Sequence, residues 1–354
     1  MPCVVEDHSA LDIMQMTSVF RRVRHWPRLR SVALESAAWL RYFVKELGFI
    51  KSPGNLVNLY LKSPFLLQKL TCNRYDLSSL PLSIQIEITN YCNLSCTCCP
   101  RESLKREKGY MAMPLFRKII DDAAASGITR VHLYLHGEPL LHPNMIEMIG
   151  YVKAKRMGIS LATNGMLLDR EIGKAILSSG INNADHIMFS LLGFSKTVHE
   201  KIMRGVVHEN VVQNVLDFLE LRKSLRINGP VIEAVMYQLA DNAHERTNFV
   251  KFWRGIVDNV RWIDSVSEQY AQNGKGTCAA RSRTCKDLWQ RMTIFWNGDV
   301  TSCCADLNGE SLIGNLRIHN ITEVWQAEAL TKIKTLHREK RFGEIHLCAN
   351  CDWL

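Results

Sequence analysis

Cys92, Cys96 and Cys99 stand in the run Cys92-x3-Cys96-x2-Cys99, in a loop directly after a short β-rich stretch. Three thiolates on one short loop can hold three irons of a cubane [4Fe–4S] cluster and leave the fourth iron open to a small chelating molecule. A closed structural zinc site takes four protein ligands, and a fourth is not evident nearby. A chance group of core cysteines is the remaining reading. Cys98 offers an alternative ligand. A second group, Cys285, Cys303, Cys348 and Cys351, occupies the C-terminal part as Cys285-x12-Gly298-x4-Cys303 followed by Cys348-x2-Cys351. Four thiolates from a hairpin and a terminal loop can close a site completely, and on spacing alone zinc and [4Fe–4S] fit equally. Cys304 follows Cys303 at once, so on an extended segment its thiol points the opposite way, toward a substrate cavity if Cys303 faces a metal. The bland alternative for Cys304 is a small buried hydrophobe. Cys3, Cys72 and Cys278 have no evident partner.

The elements that must position these residues alternate. Strands are expected over 83–89, 130–136, 159–163, 186–191, 231–239 and 260–264, with helices over 114–126, 144–157, 169–179, 195–203, 209–224 and 243–256. Such alternation predicts an α/β fold with a parallel sheet covered by helices. Six units are too few for an eight-stranded barrel, so a partial (β/α)6 TIM-like barrel is expected over 81–277. From 278 to 354 the expectation is a small β-hairpin and helix domain. Asn297-Gly298 lies between alternating strands at 291–296 and 299–303, which signals a turn with both central residues at positive φ. A helix over 323–336, capped by Thr322, follows.

Residues 1–80 read as a helical, basic extension. Between residues 13 and 34 there is no Asp or Glu, while Arg21, Arg22, Arg24, Arg28 and Arg30 interleave with apolar residues. The simpler reading is an arm with its basic face in solvent; the sharper one is contact with a membrane surface or an acidic partner. The whole chain of 354 residues has 44 Lys+Arg against 35 Asp+Glu, a formal net charge of +9. That favours anionic ligands without implying nucleic acid, and no nucleic-acid partner is expected. With 47% apolar and 22% charged residues, wholesale disorder is excluded. The start lacks a signal pattern and no long apolar run is present, so a cytoplasmic protein with reduced thiols is expected. In that setting clustered cysteines point to metal or redox chemistry.

The cysteine triplet after a first strand resembles the signature of radical S-adenosylmethionine (SAM) enzymes. Gly137-Glu138-Pro139 looks like that family's Gly-Gly-Glu-Pro motif, with His136 in place of the first glycine. Thr163-Asn164-Gly165 and Ser190 fall at later strand ends, and Arg204-Gly205 lies just beyond. The resemblance runs from about residue 83 to 264. It implies that SAM chelates the open iron of a first [4Fe–4S] cluster, with Glu138 accepting from its amino group and Gly137 permitting close approach. By the same resemblance Ser190 lies near the ribose, Arg204 pairs with the carboxylate and Asn164 borders the pocket. The second cysteine group looks like the short "twitch" form of the SPASM domain, which implies one auxiliary [4Fe–4S] cluster on Cys285, Cys303, Cys348 and Cys351.

The implied activity is a radical SAM oxidoreductase or epimerase. It cleaves SAM reductively to a 5′-deoxyadenosyl radical that abstracts hydrogen from a sugar or cyclitol, fed by a reductant such as flavodoxin or ferredoxin. In an epimerase Cys304 would return the hydrogen atom. Tyr134, Arg281, Arg283 and Asp306 are further pocket candidates. A radical SAM maturase acting on a peptide or protein is the alternative, although residues 1–80 do not read as a β-rich peptide-docking module. A non-catalytic Fe–S redox sensor is a third reading, and it would need no SAM pocket.

Overall fold

The computed structural model describes residues 80–263, 284–349 and 351. The expectations for residues 1–79 and for Cys278, Arg281 and Arg283 lie outside the described residues. The strands are β1 (Ser83–Ile86), β2 (Ser95–Cys96), β3 (Arg130–Leu133), β4 (Gly158–Thr163), β5 (His186–Ser190), β6 (Met203–Arg204), β7 (Val231–Tyr237), β8 (Asn259–Ile263), β9 (Arg291–Ile294), β10 (Asp299–Thr301) and β11 (Leu312–Asn315). Six of them pair in parallel in the order β1-β3-β4-β5-β7-β8, the α/β arrangement that the alternation predicts. Between them lie α1 (Met113–Ala125), α2 (Met145–Ala154), α3 (Arg170–Ser178), α4 (Lys196–Ile202), α5 (His208–Ser224) and α6 (Arg246–Trp253).

The two faces of this sheet differ in chemistry because successive strand residues point to opposite sides. One face is formed by Ile84, Val131, Ile159, Ile187 and Ile232 and their second neighbours, all buried. The amphipathic helices set their apolar residues, among them Phe116, Ile149, Ile176 and Phe218, into the same core. Each such side chain removed from water contributes about 1.5–3 kcal/mol. The opposite face is polar: Thr293, Gln85, His132, Ser160 and His186 stand side by side across five strands. Asp185 closes the amino-terminal end of the sheet. Its buried carboxylate takes Lys153 Nζ at 2.7 Å and the backbone N–H groups of Ile159 and Asn182, both at 2.7 Å.

The C-terminal hairpin joins this sheet. β9 runs parallel to β1, with Ile84 opposite Met292, and β10 and β11 continue antiparallel beyond it. The turn at Asn297-Gly298 forms, but only Gly298 takes positive φ, at 91°. Gly298 N donates to Phe295 O at 2.9 Å, and Phe295 N donates to Asp299 O at 2.8 Å, so the loop is longer than the two-residue turn expected. The single helix expected over 323–336 is two, α8 (Ile321–Trp325) and α9 (Glu328–Arg338), which follow the short α7 (Asp287–Gln290). Asn320, not Thr322, caps α8: its side chain accepts from Glu323 N while Glu323 reaches back to Asn320 N. A last short helix, α10, spans His346–Ala349.

Candidate active site

The cysteine loop leaves β1 and is stitched to the Gly137-Glu138-Pro139, Thr163-Asn164-Gly165 and Arg204 segments. Glu138 N donates to Tyr91 O at 2.8 Å, one residue before Cys92. Asn164 Nδ2 donates to Asn93 Oδ1 at 2.8 Å, one residue after it. Cys96 sits in β2, whose antiparallel partner β6 places Arg204 opposite Ser95. Segments far apart in the chain thus meet at the carboxyl ends of the parallel strands, where such folds carry reactive groups. Gly137 makes the closest approach. A Cβ there would lie 2.2 Å from Thr89 O and 2.7 Å from Tyr91 O, so no larger residue fits between the GEP turn and the cysteine loop.

Glu138 is the hub. Its Oε1 accepts from Thr163 Oγ1 at 2.7 Å and from Leu140 N at 3.1 Å, and its Oε2 accepts from Asn164 N at 2.8 Å. Burial pushes its carboxyl up to about 7, against the pull of those donors. A carboxylate offers about four lone-pair sites, so one remains for an outside cation such as an ammonium group. Pro139 opens the following 3-10 turn, and Ser190 ends β5 on the polar face. His136, where the motif has glycine, turns to Glu87: its Nδ1 lies 3.1 Å from Glu87 Oε2.

Cys92, Cys96, Cys98 and Cys99 are all half-buried and in no disulfide. Burial, and then repulsion from Cys98, Cys99 and Cys92, pushes the Cys96 thiol up to about 12. Burial and Cys99 push Cys98 up to about 11. Such repulsion needs sulfurs close together, and a bound cation is what relieves it. Among the described residues no three His, Cys, Asp or Glu side chains converge as ligands of one metal ion. A cubane asks for a different arrangement, thiolates placed around a multi-iron body.

The second group lies on three segments, those of Cys285, of Cys303 and of Cys348 with Cys351. Cys285 precedes α7, and its thiol is pushed up to about 12 by burial and by Asp287 and Cys304 nearby. The segment carrying Cys303 is not extended, as the thiol-alternation reading requires; Asp306 N donates to Cys303 O at 3.1 Å and closes a turn. Cys304 therefore does not simply oppose Cys303. Its thiol donates to Asp287 Oδ2 at 3.5 Å. Asp306 anchors the turn, accepting from Thr301 Oγ1 at 2.6 Å, Glu310 N at 2.8 Å and Ser311 N at 3.0 Å, a structural task and not that of a pocket residue. Cys348 lies on α10, and His346 of that helix meets Glu310 at 3.1 Å, which ties the terminal cysteines to the hairpin loop.

His337, which no sequence pattern singled out, places Nε2 3.4 Å from Cys348 Sγ. Burial lowers its pKa to about 4, so its ring is neutral near pH 7. Gln85, Arg291 and the Glu233–Arg261 pair, 2.9 Å apart, on the polar face are likewise marked by no motif. Their only signal was the period-2 alternation of polar residues along buried strands.

Comparison with known proteins agrees with this geometry. Residues 86–233 match the Radical SAM superfamily, and residues 285–352 match SPASM, an iron-sulfur cluster-binding domain. The S-adenosyl-L-methionine-dependent 2-deoxy-scyllo-inosamine dehydrogenase of Niallia circulans is 24% identical over 276 residues, 76% of this chain and 92% of that protein. The tungsten-containing aldehyde ferredoxin oxidoreductase cofactor-modifying protein of Pyrococcus furiosus is 34% identical over 109 residues, only 30% of either chain. PqqA peptide cyclase of Gluconobacter oxydans is 29% identical over 127 residues, 36% of this chain and 34% of that protein. Among solved structures, BtrN in complex with AdoMet and 2-DOIA shares the fold with a TM-score of 0.54 at 20% identity, covering 77% of this chain and 93% of that one. Among the described residues no helix is long and apolar enough to cross a membrane. Residues 86–233 are thus a Radical SAM domain, of the kind that binds SAM and a [4Fe–4S] cluster, and residues 285–352 a SPASM domain, of the kind that binds further iron–sulfur.

Proposed function

We propose that the chain abstracts a hydrogen atom from a sugar or cyclitol and either oxidises the carbinol or inverts it. The observation that carries this reading is the polar face of the sheet. An amide, two imidazoles, Ser160, Thr293 and the Glu233–Arg261 pair stand there as closely spaced donors and acceptors. Among the described residues, Gln85 Oε1 and Arg291 Nε, both buried on it, meet no hydrogen-bond partner. Burial keeps His132 neutral, with its pKa well below the ordinary value. Unmet acceptors and donors on a buried wall suit a polyhydroxylated ligand, since each lone polar group costs about 1–3 kcal/mol until something pairs with it.

A [4Fe–4S] cluster and SAM at the Cys92, Cys96 and Cys99 loop supply one-electron cleavage of the sulfonium and hence hydrogen abstraction. The chain's own residues bind and orient. Glu138 offers its remaining acceptor site to the SAM ammonium group, and Arg204 offers a planar pair of donors to the SAM carboxylate. Asn164 and Ser190 border the nucleoside, and Gly137 and Pro139 keep the GEP turn against the cysteine loop. Cys285, Cys303, Cys348 and Cys351 hold one auxiliary cluster. The electron comes from an external reductant such as flavodoxin or ferredoxin. Peptide modification is the second reading, favoured by the match to PqqA peptide cyclase.

The test is anaerobic turnover with SAM and reductant in deuterated water, offering sugars, cyclitols and short peptides in parallel. Polyols are expected to raise 5′-deoxyadenosine formation above the substrate-free rate. A carbonyl product marks oxidation. Deuterium at an inverted carbon marks epimerisation, and Cys304→Ala is then expected to stop product formation while SAM cleavage continues. Stimulation by peptides alone contradicts the polyol reading.

His337 gives a separate expectation. A neutral imidazole N–H directed at the Cys348 thiolate stabilises the reduced form of a cluster held there. His337→Phe is therefore expected to lower the midpoint potential of the auxiliary cluster, read by anaerobic redox titration, with the potential of the SAM-side cluster unmoved. Equal potentials before and after the change would remove that role.

A further inference from the structure

We propose that Arg106 is a positioning residue that fixes the auxiliary cysteine loop against the SAM-side cysteine loop, so that one buried guanidinium sets the spacing of the two cluster sites. The inference rests on the two-cluster reading above and adds to it. Arg106 lies on the segment between Cys99 and α1, and it holds three elements at once. Its Nη1 and Nη2 each donate at 2.8 Å to a different oxygen of Glu87, just past β1. Its Nε donates at 2.7 Å to Leu307 O, in the loop that follows Cys303 and Cys304. Its guanidinium stacks 3.7 Å from the ring centroid of Phe295, at the end of β9.

The pair is deeply buried, with side-chain exposure of 12% for Arg106 and 0% for Glu87. Burial alone would raise the Glu87 carboxyl, but bonds from His136 and Arg106 and their charge hold it below the usual range. A carboxylate only accepts, so the His136 Nδ1 facing Glu87 carries the hydrogen. This accounts for the histidine in the glycine position of the motif: it completes the same anchor. The strap is extended on both sides of Arg106. Lys105 N donates to Asn308 Oδ1 at 2.7 Å, and Asn308 Nδ2 returns a bond to Ser103 O at 3.2 Å. Trp296 Nε1 donates to Glu107 O at 3.1 Å. The run from Ser103 to Glu107 is thereby bonded along its length to the loop after Cys303 and to Trp296 in the β9–β10 turn.

Bidentate geometry is what a lysine cannot copy, and an unpaired Glu87 is what an alanine leaves behind. The test uses the full chain in two states. In protein without clusters, hydrogen exchange is followed in Arg106→Ala, in the charge-free double variant Arg106→Met/Glu87→Gln, and in Asn308→Ala. The expected result is exchange faster by about tenfold or more at both 103–109 and 303–309, with β4, β5 and β7 unchanged. In anaerobically reconstituted Arg106→Lys and Asn308→Ala, the magnetic interaction between the two reduced clusters is expected to weaken at unchanged iron content. A merely local structural role would loosen 103–109 alone and leave that interaction intact, and either result overturns the proposal. Failure to assemble two clusters would count against the functional reading instead, and the exchange experiment would still decide the role of Arg106.

Discussion

Cys96→Ser, and equally Cys92→Ser or Cys99→Ser, will reduce SAM cleavage to background and lower bound iron from about eight to about four atoms per chain, since one of two four-iron clusters loses its seat. The effect should be this large because local pairing and hydrogen bonds fix where the triplet places its thiolates. Cys96 is fixed by β2 pairing with β6, while Cys92 lies between residues tied to Glu138 and Asn164. Cys98 provides the internal comparison. It shares the loop, and its thiol is raised by burial and by Cys99, but the cluster reading leaves it without an iron. Cys98→Ser is therefore expected to keep both iron and activity. Iron and optical absorption after anaerobic reconstitution, with 5′-deoxyadenosine measured by chromatography, check both variants. Full iron in the Cys96 variant, or loss of iron in the Cys98 variant alone, would reassign the ligands.

The second large effect is expected at Gly137. Alanine there drives a methyl carbon to 2.2 Å from Thr89 O, and a backbone carbonyl cannot swing aside as a side-chain tip can. The GEP turn must move off the cysteine loop, which breaks the bond from Glu138 N to Tyr91 O and strains the carboxylate hub. Overpacking of this kind costs about 1–3 kcal/mol. For a domain of this size that lowers the melting temperature by roughly 2–6 °C. Calorimetry or chemical denaturation of the cluster-free protein tests this without any cofactor. SAM binding should weaken with it, whereas Gly150→Ala, where an added Cβ meets nothing within 4 Å, serves as the silent control.

Much of the candidate site is legible in the sequence, and for a physical reason. Cysteines, glycines and strand-end polar residues are chosen by chemistry that tolerates few substitutes, so their spacing carries the site. The parallel order of the six core strands follows from alternation of period-2 and period-3.6 segments. Where chain neighbours decided the outcome by tertiary contact, sequence reading failed. The Cys303–Cys304 pair was assigned opposite directions on the assumption of an extended backbone. The bond from Asp306 N to Cys303 O makes a turn instead, and the buried Asp306, a pocket candidate on sequence alone, anchors that turn. Thr322 resembled a helix cap, but Asn320 has Glu323 three residues later and forms the reciprocal box.

Long-range partners were the other blind spot. Nothing in the run around Arg106 announces Glu87 or Leu307, and nothing in α9 announces that His337 meets Cys348. The parallel pairing of β9 with β1 was hidden in the same way. It unites the two cysteine groups on one sheet, which is why the strap at Arg106 can exist.

The most direct measurement is electron paramagnetic resonance of the reduced, oxygen-free protein, before and after SAM is added, using a variant with Cys348 and Cys351 replaced so that only the SAM-side cluster contributes. If one iron at the Cys92 loop lacks a protein ligand, SAM shifts the g-values of the signal, and isotopic labelling of the SAM amino nitrogen adds hyperfine broadening. A spectrum unchanged by saturating SAM would mean a fully ligated cluster, and the catalytic assignment would be wrong.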